Sequence, residues 1–181
     1  MQSALLFLFK TLADLYLLTF LLRFILQWVR ASYYNPLSQF VIKVTNALVV
    51  PARRILPSVA GLDLPTLVVL IALESAVTWA LTRMLGISLP LGALALAVLL
   101  RLVSLALWFY TISLFAYVLL SWFGDYRTGP MAGVLGELVE PLLRPIRRVL
   151  PPIAGLDLSP LLLMLLFQAV SIALPLPAYL R

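Results

Sequence analysis

The 181-residue chain contains neither cysteine nor histidine. Disulfides, thiol chemistry, the commonest metal ligand and the usual general base are therefore missing, which argues against a metalloenzyme or a cysteine enzyme, and no cofactor is expected. Charge is scarce too: Asp, Glu, Lys and Arg make up 11% of residues, against about a quarter in soluble domains, while 64% are hydrophobic. That balance specifies a multi-span membrane protein, with room for about four to six spans of about 20 residues. The few charges are unequal, 13 Lys and Arg against 7 Asp and Glu. A net charge of +6 can signal nucleic acid, yet these basic residues lie between apolar runs with no soluble domain to present them. Anionic lipid headgroups are the expected partner, and nucleic acid is not. No cleavable signal peptide is expected, because the first apolar run carries Lys10 and Asp14 and lacks a small-residue cleavage site.

The chain is internally duplicated. P-A-R-R-I-L-P-S-V-A-G-L-D-L, Pro51 to Leu64, returns as P-I-R-R-V-L-P-P-I-A-G-L-D-L, Pro145 to Leu158, displaced by 94 residues without a gap and identical at ten of fourteen positions. The same offset pairs Trp28 with Trp122, Pro36 with Pro130, and Glu74 with Gln168. Repeats of this kind decide architecture before any local assignment. We therefore expect an all-α membrane protein of two parallel repeats. The first, residues 1–86, has spans near 5–29 and 64–85 and a short amphipathic segment at 36–50; the second, 87–181, has spans near 102–123 and 159–174 and an amphipathic segment at 130–144. Each amphipathic segment is too short and too polar to span, which predicts an interfacial or re-entrant helix, with Phe40, Val44 and Leu48 as the apolar stripe of the first. Residues 91–123 are apolar apart from Arg101, about 50 Å as one helix, so part of this run must continue beyond the span, fold across the surface or form a separate segment.

Within the repeated motif, Pro51 and Pro57 bracket one turn and are expected to keep it from joining its neighbours into a continuous helix. Arg53 and Arg54 lie inside that bracket, as Arg147 and Arg148 do in the second copy. These four are the candidate lipid- or partner-binding residues, with headgroup anchoring as the simpler reading. Gly61 and Gly155 can supply the positive φ of a reversal, and Asp63 and Asp157 then stand where a helix N-cap belongs. Capping is a better reading for these carboxylates than ion ligation, and Arg53 or Arg54 can bond Asp63 within the repeat or reach across to Asp157.

Glu74 stands eleven residues beyond the cap, about 16 Å into the bilayer, where a carboxylate must be protonated, paired or wet. Arg23 is its expected partner, and Arg23, Glu74 and Gln168 form a candidate intramembrane polar site, either a structural pairing or part of an ion route. Lys10 and Asp14, four apart, are expected to neutralise each other. Arg30, Lys43, Arg53, Arg54, Arg127, Arg144, Arg147 and Arg148 all fall in segments between the spans of a repeat. By the positive-inside rule the motif segments face the cytoplasm and both termini face out.

The doubled P-x-R-R-x-L-P-x-x-x-G-L-D-L pattern, each copy between apolar spans and after a short N-P or G-P segment, resembles the YggT family of bacterial membrane proteins, related to the YlmG proteins. The resemblance covers nearly the whole chain. Ala60 and Ala154 depart from it where a second glycine is common, as does Pro65 where the second copy keeps Ser159. It implies roles in osmotic-stress tolerance with altered potassium dependence, in division and nucleoid distribution or, in chloroplasts, in cytochrome assembly, with no enzymatic reaction attached. Three function classes follow: a membrane organiser that binds anionic lipid or partner proteins, an ion channel or transporter subunit, and an assembly factor for another membrane complex. Polar faces on so small a bundle also suggest a homo-oligomer.

Overall fold

A computed structural model describes every residue except 1, 33, 59–60, 123–129, 152–156 and 181, with the side chains at 2, 3, 122, 130 and 131 also outside the description. Among the described residues the secondary structure is helical apart from turns, connecting segments and a single bridge residue, Leu62. Six α-helices run in order as α1 (Gln2–Trp28), α2 (Pro36–Ile55), α3 (Leu64–Met84), α4 (Leu91–Trp122), α5 (Pro130–Val149) and α6 (Ser159–Ala173), followed by a 3₁₀ turn at Ala178–Leu180. Three are long and apolar enough to cross a membrane: Ala4–Trp28, Leu64–Met84 and Leu91–Ser121. The segment after α3 does not divide, because residues 91–100 continue without a break into α4, whose 32 residues extend about 48 Å. α6 has only 15 residues, about 22 Å against a hydrocarbon core of about 30 Å, so it falls short of the fourth full-length span expected for 159–174. Pro175 and Pro177 are the cause: the chain before them turns extended at Leu174, with φ −61° and ψ 130°.

α2 and α5 each have 20 residues, with bounds displaced by the 94 residues of the sequence repeat. Asn35 caps α2 by accepting the Leu37 N–H at 2.9 Å, and Pro36 occupies the first turn, where a missing N–H costs nothing. The expected break at Pro51 does not occur. α2 runs through it to Ile55 and α5 runs through Pro141 and Pro145, so the motif arginines ride on the last helical turns instead of a separate bracketed turn. Pro51 leaves only the Ala47 carbonyl without its helical donor, and Ala47 is exposed, where that carbonyl can be solvated. Pro57 does stop the helix, holding Leu56 extended at φ −119° and ψ 111°.

Each half is a three-helix unit: α1, α2 and α3 pack on one another, as do α4, α5 and α6, and α3 against α4 makes the largest junction between them. All six helices feed one apolar cluster, with Leu17, Phe20, Val41, Leu70, Leu114, Leu138 and Leu163 at its centre. The expected apolar stripe of α2 lies on its outer side. Ser38, Val41, Thr45 and Val49 face inward, whereas Phe40 and Leu48 are exposed along with many apolar residues of the long helices, such as Phe7, Leu12, Leu96 and Phe115. A continuous apolar exterior of this kind suits a hydrocarbon surrounding.

Candidate functional site

The motif turn builds one polar centre. After Pro57 ends α2, Gly61 takes φ +82°, which a side chain would resist, and reverses the chain so that Asp63 becomes the first residue before α3. The Asp63 carboxylate is fully buried and is held chiefly by side chains instead of by a well-formed N-cap bond to α3. Its Oδ2 accepts from the Thr66 hydroxyl at 2.6 Å and from Arg53 Nη2 at 2.8 Å, with Arg23 Nε 3.7 Å away. Burial pushes this carboxyl up, but the Thr66 and Arg53 hydrogen bonds outweigh burial and hold it below the ordinary carboxylate value. Arg23 is buried as well and fixed through Nη1, which donates to Thr45 Oγ1 at 2.6 Å and Asn46 Oδ1 at 2.9 Å.

The second motif repeats the pairing with different neighbours. Arg147 Nε donates to Asp157 Oδ2 at 2.8 Å, ten residues on, as Arg53 does to Asp63. Arg147 Nη1 also donates to Glu140 Oε2 at 2.7 Å, and Nη2 reaches the Tyr117 hydroxyl at 3.5 Å. Burial lowers the Arg147 pKa, yet Tyr117, Asp157 and Glu140 together raise it above the ordinary arginine value. Asp157 accepts the Ser159 N–H at 2.9 Å through Oδ1, so here the carboxylate does meet a first-turn donor of its helix. Burial raises its pKa, and Ser159 with Arg147 outweighs that and lowers it. Arg54 and Arg148 are exposed beside these pairs. Gly155, expected to reverse the second copy, lies outside the described residues. A link between the halves comes from Ser32, whose N–H donates to Glu137 Oε2 at 3.2 Å.

A second polar centre lies toward the opposite end of the bundle. Lys10 Nζ meets Asp14 Oδ2 at 2.8 Å, Asp14 Oδ1 meets Arg101 Nη2 at 2.7 Å, and Arg101 Nε bonds Glu74 Oε1. Thr78 Oγ1 donates to the same Glu74 oxygen at 3.0 Å, and Arg101 Nη1 ties down the Leu180 carbonyl at 2.9 Å. A cavity of about 330 Å³ opens on Lys10, Asp14, Glu74, Arg101 and Trp108. Arg23 is therefore not the partner of Glu74. It lies five residues from the end of α1 and Glu74 ten from the start of α3, so Arg23 is nearer the level of Asp63. Gln168, matched to Glu74 by the repeat offset, is exposed on α6 and does not join this centre. The Lys10 and Asp14 pairing expected from sequence is present, but Arg101 was not assigned to it. A lone arginine in an otherwise apolar run of 33 residues is the signal that a buried acid must face it.

A family model described as CCB3/YggT matches residues 2–85 and 96–177. The chain belongs to the CCB3/YggT family. Its relatives include an uncharacterised protein of Pseudomonas aeruginosa, 37% identical over 173 residues, covering 94% of this chain and 88% of the relative. The uncharacterised protein YggT of Escherichia coli K12 is 35% identical over 170 residues with the same coverage, and an uncharacterised protein of Vibrio alginolyticus is 41% identical over 167 residues, covering 90% and 88%. No solved structure matches. Each matched segment of the YggT-family model contains one motif pair, Arg53 with Asp63 or Arg147 with Asp157, and the first also contains Lys10, Asp14 and Glu74.

Proposed function

We propose that this YggT-family protein is a non-enzymatic organiser of the bacterial plasma membrane, built from two parallel repeats and binding anionic lipid through its motif ends. The observation that carries the reading is the division of labour within each arginine pair. Arg53 and Arg147 are locked onto Asp63 and Asp157, which holds the helix end rigid and leaves Arg54 and Arg148 exposed beside them. A cation presented by a fixed helix end gains more from an anionic surface than one on a mobile loop, at about 1 kcal/mol per residue near the headgroups. Phe40 and Leu48, exposed on the outer side of α2, supply the apolar contact of a helix lying at the interface. The motif ends face the cytoplasm in this reading, by the positive-inside argument, and the cellular role is envelope homeostasis under osmotic stress or division.

Transport is the second reading, supported by the cavity that reaches Glu74. Against it, among the described residues the cavity at Glu74 and the larger one at Arg23 share no lining residue, and Leu17, Phe20 and Leu21 lie buried on α1 between them. Reconstitution separates the two. Vesicles containing phosphatidylglycerol should stabilise the protein relative to phosphatidylcholine alone, and Arg54→Gln with Arg148→Gln should weaken that response without changing the fold. Potassium or proton flux that Glu74→Gln abolishes would replace this proposal with the transport reading.

A further inference from the structure

Between the end of α1 and the inner face of α2 lies a cavity of about 610 Å³, lined among others by Arg23, Gln27, Arg30, Ser38, Asn46 and Arg53. Its size falls within the range of about 300–1,000 Å³ typical of ligand pockets. We infer that this cavity binds a phosphate group, carried by an anionic phospholipid or by a soluble phosphate. The inference rests on the lipid-binding function proposed above and narrows it to one place.

Charge is the first argument. Among the described residues three guanidinium groups line the cavity, and no carboxylate does. Asp63 lies behind them and is shared by Arg23 and Arg53, which leaves the cavity cationic. Arg23 is 6% exposed and held by Thr45 and Asn46, so this charge is positioned before any ligand arrives. Pre-positioned guanidinium groups suit phosphate, which accepts their hydrogen bonds in pairs.

The second is an orphaned donor. Ser38 is 3% exposed, lines the cavity, and its hydroxyl has no hydrogen-bond partner among the described residues. A buried hydroxyl without a partner is unfavourable unless something outside the chain completes it.

Backbone strain supplies the third. α1 closes with the Ala31 N–H on the Leu26 carbonyl at 2.9 Å and the Arg30 N–H on the Gln27 carbonyl at 3.1 Å, which places Arg30 in the left-handed region at φ 55°. α3 closes with the same two bonds, Ile87 to Thr82 and Gly86 to Arg83, and uses glycine at φ 72°. A side chain at this position is strained, and strain of this kind collects where a side chain has work to do.

The duplication provides an internal contrast. At the 94-residue offset, Arg23, Arg30, Ser38 and Asn46 become Tyr117, Gly124, Ala132 and Glu140, while Arg53 remains as Arg147. The second copy has therefore lost the extra cations and the hydroxyl, and Glu140 supplies Arg147 with a second carboxylate at 2.7 Å. One copy has met its own need for anions within the chain, and the other leaves that need open.

The test is thermal unfolding of the full chain in a zwitterionic detergent, titrated with inorganic phosphate or with short-chain phosphatidylglycerol, phosphatidylcholine being the neutral control. Arg30→Gly should unfold at the same or a higher temperature without ligand, since the strain is relieved, and should bind the effective probe about tenfold more weakly. Ser38→Ala should leave ligand-free stability unchanged and also weaken binding several-fold. A response to phosphatidylglycerol alone assigns a lipid headgroup, and a response to inorganic phosphate assigns a soluble anion; either supports the site. Phosphatidylglycerol stabilisation that both variants retain in full overturns the cavity and leaves the wider lipid function standing. No response to either probe in the unaltered protein overturns both.

Discussion

Arg53 and Asp63, ten residues apart in the chain, are joined at 2.8 Å across the end of α2 and the start of α3, and the pair recurs at the same length as Arg147 with Asp157. The two are not energetically equal. Asp63 is fully buried and neutralises both Arg53 and Arg23, whereas Asp157 and Arg147 are each 27% exposed and Arg147 has Glu140 in reserve. Asp63→Asn leaves two arginines facing one another over a buried amide and should cost about 3–5 kcal/mol. Asp157→Asn should cost about 1 kcal/mol, because water and Glu140 screen what is lost. Chemical unfolding in detergent micelles, comparing the two single variants, checks the ratio; equal losses would refute the asymmetry.

Acid should expose the same pairs. Asp63 and Asp157 both have folded pKa values below the ordinary aspartate value, so each contributes stability that is fully present above about pH 4. That contribution is lost as pH falls through the lower folded values. Stability measured from pH 7 downward should hold level to about pH 4 and then drop, and Asp63→Asn combined with Asp157→Asn should flatten the drop.

The motif turn gives a backbone test. A Cβ on Gly61 would meet nothing within 4 Å, so Gly61→Ala probes only the strain of φ +82°. We expect a loss of about 1 kcal/mol. Gly136, within α5 and equally free of neighbours, should respond with the opposite sign, Gly136→Ala gaining about 0.5–1 kcal/mol from helix propensity. Unfolding midpoints of the two variants measure the contrast directly.

What was legible in the chain divides along physical lines. Apolar length located α1, α3 and α4, and the duplication matched α2 to α5, because length and repetition do not depend on how a helix is rotated. Partner choice does depend on rotation, so Glu74 went to Arg101 instead of Arg23, and Gln168 turned outward. Phe40 and Leu48 of the expected stripe face out while Ser38, Val41, Thr45 and Val49 pack inward, a choice the spacing left open: where the surroundings are themselves apolar, periodicity no longer tells the inner face from the outer one. Pro51 does not stop α2, because the one carbonyl it frees is exposed and a small loss that the helix absorbs, whereas at Pro57 the preceding Leu56 is extended and the helix ends.

The buried centre at Arg101 carries the sharpest stability test. Its guanidinium serves Glu74, Asp14 and the Leu180 carbonyl at once, joining α1, α3, α4 and the C-terminal 3₁₀ turn. Arg101→Gln leaves Glu74, 1% exposed, without its cation and should cost about 3–5 kcal/mol. Glu74→Gln alone strands Arg101 less severely, since Asp14 remains at 2.7 Å. Combining the two removes both unpaired charges, so the double variant should be more stable than Arg101→Gln by about 1–3 kcal/mol, the non-additivity expected of groups in contact. Arg101→Gln should also release the C-terminal turn, with faster amide exchange at Leu180 than in Glu74→Gln. Additive losses, or unchanged exchange at Leu180, would show that Arg101 does not hold this end of the bundle together.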